Sequence, residues 1–517
     1  MMKSFGRYWL PAEGRFHADC LSGVTVALAL IPEAIAFALI AHVSPLIGLY
    51  AAFFMCLITS VFGGRPGMIS GATGATAVVM VSLVLKHGLA YLFATIILTG
   101  LLQMLIGWLR CAQFIRLMPK SVMVGFVNGL AIVILLAQLN QFKHIDSQGV
   151  SLWLQHSALW TMVTLALLAM AITHYLPKLT RAVPSALTAI VVVSLVVLLG
   201  DIHTRVVADM LAKPIHFAAF PSIGLPAVPW HLKTFLIIFP YAAILAVVGL
   251  AESLMTLMLI DERTQSRGQG NRECAAQGMG NLVSGLFGTM GGCAMIGQSM
   301  INISSGARGR LSGVVASLFL LACVLLLWPW IQHIPLAALV GVMLMVVIET
   351  FEWASFHFIR HIPRHDALLI VVVTAVTVLT NLAIALIVGI VLASLVFAWQ
   401  SAQRIYADID EAGEEKETCY RIHGPLFFGS CDAFKALFHP ETDRQFVVID
   451  FKHSRVSDHS AISAIQSVAQ CYAACGKALH LRHLSPECRK LLGRAGDLVH
   501  VNVQEDPDYR VATEVLE

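Results

Sequence analysis

GLAESLMTLMLIDERTQSRGQGNRECAAQGMGNLVSGLFGTMGGCAMIGQSMINISSGARG, residues 249–309, is the stretch on which the reading of the whole chain turns. It sets one carboxylate, Glu252, inside an apolar segment long enough to cross a membrane. A polar loop follows, and then the glycine-rich run GLFGTMGGCAMIG at 285–297. A charge at membrane depth is costly and marks a functional site. A helix interrupted by small residues, with its backbone lining a cavity, is one way for a polytopic protein to hold a small ion near the bilayer midplane.

The remaining composition fits a membrane setting. Of 517 residues, 57% are hydrophobic and 13% charged, with a mean hydropathy of +0.77. Soluble domains carry about 25% charged residues, so a purely aqueous chain is excluded. The net charge of +3 and the absence of a basic block give no sign of nucleic acid. The eleven cysteines are scattered; Cys471 and Cys475 lie four apart with no matching histidine pair, so neither a metal site nor a cofactor is expected. Residues 1–19 read as an amphipathic interfacial lead-in without a cleavage site.

About 20 apolar residues cross a bilayer as a helix, and fewer suffice for a half-helix. Spans are expected over 20–40, 46–62, 70–85, 90–108, 121–141, 153–175 and 184–199. A proline-bearing connection, 200–230, separates these from 234–260, 273–288, 295–305, 311–330, 336–351, 367–380 and 382–399. That makes about fourteen segments, seven a side, in a polytopic α-helical domain over 20–403. With residue 1 on the cytoplasmic side, 17 basic residues from Lys3 to Arg404 fall there. Five (Lys86, Lys143, Arg205, Lys213 and Lys233) fall opposite. This asymmetry sets the orientation. An even number of spans keeps the tail cytoplasmic. Residues 404–417 read as an acidic linker, and 418–517 as a small α/β domain. Its expected strands are 418–428, 445–451 and 478–483, and its expected helices 430–438, 460–474 and 486–494.

The third and tenth segments both open in small residues, Ile69-Ser-Gly-Ala-Thr-Gly-Ala-Thr76 and Gly291-Gly-Cys-Ala-Met-Ile-Gly297. Glu33, after the helix-breaking Pro32 of the first span, and Glu252, in the eighth, correspond in the same way. Both offsets are about 220 residues. Such pairing points to an inverted-repeat site at mid-membrane. Two facing half-helix N-termini supply positive potential and free N–H groups to an anion. Ala72 and Gly74 let an ion reach the backbone on one side, where Ser70, Thr73 and Thr76 add hydroxyls. Ala294, Met295 and Ile296 offer backbone donors on the other. Tight helix packing through small residues is the alternative. Glu252 and Glu33 are coupling candidates, because a carboxylate away from water holds its proton more firmly. Glu252 with Thr256, one turn on, equally suits a sodium ion, and either carboxylate could instead bond between helices. Asn128, Gln138 and Asn140 read as interhelical hydrogen-bonders.

With these motifs in place the chain resembles the sulfate permease (SulP) family of anion transporters with a C-terminal STAS domain. Leu30-Ile-Pro-Glu-Ala-Ile-Ala-Phe-Ala38 looks like its first-span motif. Ser44-Pro-Leu-Ile-Gly-Leu-Tyr50 looks like the start of its second span, and residues 277–292 like its ninth-span signature. Residues 421–430, with Asp458-His-Ser460, look like a STAS domain. The resemblance implies a seven-plus-seven inverted repeat with core and gate subdomains and an elevator movement. It also implies a homodimer in a bacterial inner membrane. The anion would bind at Thr73 and the backbone around Ala294–Ile296, with Phe37 lining the site. Glu252 and Thr256 fall where sodium–bicarbonate members keep an Asp and a Thr for sodium. Ile296 stands where those members have a second Thr, and Glu33 where the motif has Gln. Both departures favour a proton over sodium. The expected function is secondary transport of bicarbonate or sulfate, with a C4-dicarboxylate as the alternative substrate. A membrane-anchored regulator phosphorylated at Ser460 beside Asp458 is a rival, against which Ser460 reads more simply as a helix N-cap.

Overall fold

A computed structural model describes residues 16–115, 119–145, 151–154, 156–180, 184–210, 220–229, 231–355, 362–380, 382–410, 417–484 and 502–504. Contacts divide the chain into two units, Met1–Ile390 and Val391–Glu517. Before residue 403, fourteen helices of nine residues or more occur among the described residues. The first seven are α1 (Phe16–Ile40), α2 (Pro45–Phe62), α3 (Gly74–His87), α4 (Leu89–Trp108), α5 (Lys120–Asn140), α6 (His156–Leu179) and α7 (Ser185–Leu199). The second seven are α8 (Leu232–Thr264), α9 (Gly270–Leu286), α10 (Ile296–Ser304), α11 (Leu311–Ile331), α12 (Leu336–Thr350), α13 (Arg364–Leu379) and α14 (Leu382–Ala402). By length and apolarity, seven of them can each cross a bilayer. The rest, apart from α14, are shorter, and the third and tenth are half-helices, as their small-residue openings predict.

Proline sets many of the boundaries: α5, α7, α12 and α13 each start directly after one. Its fixed φ and missing N–H suit the entry to a helix. Pro32 departs from expectation. It does not break the first span, and α1 runs through it to Ile40. A proline inside a membrane helix is tolerated where neighbouring groups satisfy the freed backbone.

The packing is doubled. α9 lies on α4 as α2 lies on α11; α11 lies on α1 as α4 lies on α8; α13 lies on α5 as α6 lies on α12. Each contact recurs when both helices advance seven places, so the two halves are the same unit repeated. The helices group as α1–α4 with α8–α11, and as α5–α7 with α12 and α13. Close approach needs small residues. A Cβ on Gly278 of α9 would stand 2.6 Å from the Gly100 carbonyl oxygen of α4.

Two short strands cross where the repeats meet. β1 (Ser70–Gly71) and β4 (Cys293–Ala294) pair antiparallel, Ser70 against Ala294 and Gly71 against Cys293. Between them in the chain lies the hairpin of β2 (Lys143–Ile145) and β3 (Ser151–Trp153). Antiparallel pairing is the local signature of an inverted repeat. A Cβ on Gly292 would overlap the Gly71 carbonyl oxygen, so only glycine admits the crossing there.

Side chains of α9 and α10 hold this crossing. Asn281 Nδ2 donates to the Gly292 carbonyl and to Gln103 Oε1, both at 2.9 Å, and Asn281 Oδ1 accepts the Gly292 N–H at 2.8 Å. Gln277 Nε2 donates to Ser70 Oγ at 2.8 Å and to Glu273 Oε1 at 2.9 Å. Glu273 Oε2 accepts the Gly64 N–H at 2.8 Å. The Ile69 N–H goes to Ser299 Oγ, and Asn302 Nδ2 reaches the Gly67 carbonyl.

The second unit carries a five-stranded sheet in the order β5–β6–β7–β8–β9. The strands are β5 (Tyr406–Asp410), β6 (Glu417–Leu426), β7 (Phe446–Val456), β8 (Ala478–Arg482) and β9 (Asn502–Gln504). Only β5 runs antiparallel to its neighbour. Helices α15 (Cys431–Lys435) and α16 (His459–Ala474) connect the parallel strands, as sequence alternation predicts. The linker expected over 404–417 is corrected: β5 occupies part of it, because Tyr406-Ala-Asp-Ile-Asp410 alternates apolar and acidic residues along a strand. The helix expected over 486–494 lies outside the described residues. Tyr420 and Tyr472 are fully buried, and both hydroxyls donate to Asp443.

Two outcomes are expected. Replacing Asn281 by Ala leaves the Gly292 N–H and carbonyl unpaired, at about 1–3 kcal/mol for each orphaned group. The purified variant melts at lower temperature and loses saturable anion uptake, whereas Asn140→Ala, on the exposed end of α5, changes neither. Burial, and then the neighbouring Asp443, push the Tyr420 phenol from 10.0 up to about 12, and the same causes raise Tyr472. The folded state thus holds these protons more tightly than the unfolded chain. Their stabilisation is complete below pH 10 and is lost as pH rises through about 12. A tyrosinate absorbance titration should show Tyr420 and Tyr472 among the late-ionising members of the nine tyrosines, and Asp443→Asn should bring both down.

Candidate functional site

The strand pair sets up the site. β1 leads through Ala72 and Thr73 into α3, and β4 leads through Met295 into α10. Because the strands run antiparallel, the two half-helices leave in opposite directions and their N-termini stay at the crossing. The first three N–H groups of a helix have no partner within it. Each terminus also carries roughly half a positive charge. Anion-binding potential is therefore present although the stretch 70–76 and α10 contain no basic side chain.

The expected residues gather unevenly. Thr73 caps α3 and is buried; its Oγ1 lies 3.1 Å from both Thr76 Oγ1 and Cys293 Sγ. Ala72 is buried beside it. Phe37 of α1 and Ile134 of α5 close over Gly74: a Cβ there would stand 2.9 Å from the Phe37 ring and 2.7 Å from Ile134. Met295 presses its sulfur against Gly71.

The backbone donors expected of Ala294–Ile296 need correction. The Ala294 N–H is donated to Ser253 Oγ at 3.1 Å, and the Met295 N–H to the Ile69 carbonyl at 2.9 Å. Both serve the crossing. The donors that open α10 are those of Ile296, Gly297 and Gln298. Ile296 is partly exposed and Gly297 exposed, with nothing within 4 Å of a Cβ there.

Glu252 reaches this site from α8. Its Oε2 accepts the Cys293 thiol at 3.0 Å, and its side chain also meets that of Thr73. Glu33 occupies the counterpart place: its carboxyl meets the Gln298 side chain in the first turn of α10. Each carboxylate thus crosses to the other repeat's half-helix. Thr256 is buried, and its hydroxyl donates to the Glu252 carbonyl within α8 at 2.8 Å. Ile296 carries no side-chain oxygen.

Asn128 bonds as expected, donating to Ser355 Oγ and accepting the Glu352 N–H. Of the second unit's candidates, Asp458 caps α16, accepting the Ala461 N–H at 2.9 Å and the Phe428 N–H at 2.7 Å. Ser460 is therefore not the cap; it lies exposed in the first turn. Asp458 starts the helix two residues earlier because its carboxylate reaches two N–H groups at once.

Sequence reasoning missed Ser253, Cys293, Gln298 and the ladder Glu273–Gln277–Asn281. The ladder had a signal. Polar residues every fourth place on an otherwise small-residue helix share one face, and that face meets the crossing. Cys293 gave none, since a buried cysteine reads as packing.

The profile of the sulfate permease family matches residues 16–374, and that of the STAS domain matches 406–506. The Bacillus subtilis protein named "Putative sulfate transporter YbaR" is 41% identical over 93% of this chain and 97% of its own length. The bicarbonate transporter BicA of Synechocystis is 27% identical over 90% of this chain and 87% of its own. Among solved structures, the transmembrane domain of a cyanobacterial BicA superposes with a TM-score of 0.63. It is 28% identical and covers 73% of this chain and 98% of that one. The murine anion transporter Slc26a9 in its inward-facing state shares the fold, with a TM-score of 0.80 at 16% identity over 96% of this chain and 89% of its own. A doubled seven-helix unit with two half-helices meeting at a strand crossing, followed by a STAS sheet, makes this chain a member of the sulfate permease family, an anion transporter and not an enzyme.

Proposed function

We propose that the chain carries a small inorganic oxyanion, sulfate or bicarbonate, across a bacterial cytoplasmic membrane together with a proton. The anion meets the N–H groups of Gly74, Ile296 and Gly297 and the Thr73 hydroxyl, with Phe37 over it. Glu252 holds the coupled proton, and Glu33 is its counterpart. The observation that carries this reading is the reach of the Glu252 carboxyl to the N-cap of α3. Two like charges about 7 Å apart repel by roughly 2 kcal/mol at an effective dielectric of 20. That corresponds to roughly 30-fold in affinity, so the anion and a neutral Glu252 favour each other. A sodium ion finds less support, since the Thr256 hydroxyl is turned to its own helix and Ile296 is apolar. The name and the 41% identity of the Bacillus relative put sulfate ahead of bicarbonate. Movement of α1–α4 and α8–α11 against the remaining helices, with both termini and the STAS domain cytoplasmic and two copies associated, completes the proposal.

The test is uptake into proteoliposomes at several pH values, with and without sodium, using sulfate, bicarbonate, chloride and fumarate. Sulfate or bicarbonate is expected to accumulate with an inward proton gradient and without a sodium requirement. Fumarate uptake in their place would assign a C4-dicarboxylate carrier. Glu252→Gln is expected to retain counterflow of the anion and to lose proton-driven accumulation. Unchanged pH-dependent uptake in that variant refutes the coupling role.

A further inference from the structure

Cys293 has no part in the mechanism above, yet it bridges the two groups that the mechanism needs. It lies in β4 opposite Gly71 and is fully buried. Its Sγ donates to Glu252 Oε2 at 3.0 Å and stands 3.1 Å from Thr73 Oγ1. Glu252 belongs to one repeat and Thr73 to the other, so the thiol spans the crossing. We propose that Cys293 is a positioning residue that passes the protonation state of Glu252 to the Thr73 hydroxyl, and so to the anion. This rests on the reading that Glu252 carries the proton and Thr73 meets the anion.

The chemistry follows from donor and acceptor counts. A threonine hydroxyl has one hydrogen to give; a thiol has one weak hydrogen and a weakly accepting sulfur. While Glu252 is a carboxylate it is an acceptor only and holds the thiol hydrogen. The Thr73 hydrogen is then drawn to the sulfur, and to the Glu252 carboxylate that the Thr73 side chain also meets, away from the anion. When Glu252 takes up a proton, its carboxyl O–H donates to the sulfur instead. The thiol hydrogen turns to Thr73 Oγ1, and the Thr73 hydrogen is freed for the anion. The only bond made is the O–H of Glu252, and the transported proton stays on that carboxyl until release.

Few other ionisable groups compete among the described residues. Of the elements packed on α8 and β4, α10 carries none and α4 only Tyr91. α3 carries Lys86 and His87 in its last turn, at the far end from Thr73. On α9, Arg272 donates to the Phe62 carbonyl, Glu273 is held by Gln277 and the Gly64 N–H, and Cys274 is buried. Glu33 of α1 meets Gln298 and feels Glu349 of α12. The groups that meet the Glu252 carboxyl are the Cys293 thiol and the Thr73 side chain.

The test compares the pH dependence of KM for sulfate uptake by the full chain in proteoliposomes. Cys293→Ala is expected to flatten the pH profile of KM in part, lowering KM roughly threefold where Glu252 is ionised, with maximal rate little changed. Cys293→Ser, which keeps a donor and an acceptor, is expected to restore the slope. Glu252→Gln serves as the reference. If it too leaves the profile unchanged, the proton-coupled reading itself fails. If it flattens the profile and Cys293→Ala does not, only the relay is overturned, and the thiol is inert packing. Should Cys293→Ala fail to assemble, Cys293→Val, which fills the space without a donor or acceptor, decides: a wild-type slope overturns the relay, and a shallower slope supports it.

Discussion

The rest of this structure depends on the backbone of two short strands being satisfied in the middle of an apolar bundle. Unpaired N–H and C=O groups cost several kcal/mol each in such surroundings, and irregular backbone persists only where protein groups answer it. Here β1 and β4 answer each other, Asn281, Ser253 and Ser299 answer backbone groups in and beside them, and Gln277 holds the Ser70 hydroxyl. The ladder on α9 is thus a structural requirement of the crossing. It explains why a helix in a membrane carries so many amides and glycines.

That requirement divides the labour among neighbouring backbone groups. Ala294 and Met295 spend their N–H groups holding the strands together. The next residues, Ile296 and Gly297, open a helix, and there the N–H groups point outward for lack of a preceding turn. Attraction for an anion therefore arises without a lysine or arginine at the helix ends.

The doubling of the chain gives each half-helix a carboxylate from the other repeat, Glu252 at α3 and Glu33 at α10. The two contacts are not equal. Glu252 arrives through a thiol and a threonine at the helix cap, whereas Glu33 arrives through the longer Gln298 amide within the first turn. Repeats that share a backbone plan have diverged in the side chains at their half-helix starts. The STAS unit holds together on different physics, an apolar core with Asp443 beneath two buried phenols.

The membrane architecture was legible in the sequence because bilayer thickness and helix rise fix span length, and because paired small-residue openings and paired glutamates recur at one offset. Thr73 and Glu252 could be named for the same reason, and Phe37 from the resemblance of the first-span motif. Pro32 misled, since a proline's effect on a helix depends on which neighbours meet the freed carbonyl. The strand at Tyr406–Asp410 was hidden by its acidic residues, and Ser460 gave way to Asp458 as the helix cap. The donors left for the ion, and the place of Cys293 between Glu252 and Thr73, were decided only by tertiary structure. Residues some 40 and 220 positions apart meet there, and no local pattern records which hydrogen bonds their meeting consumes.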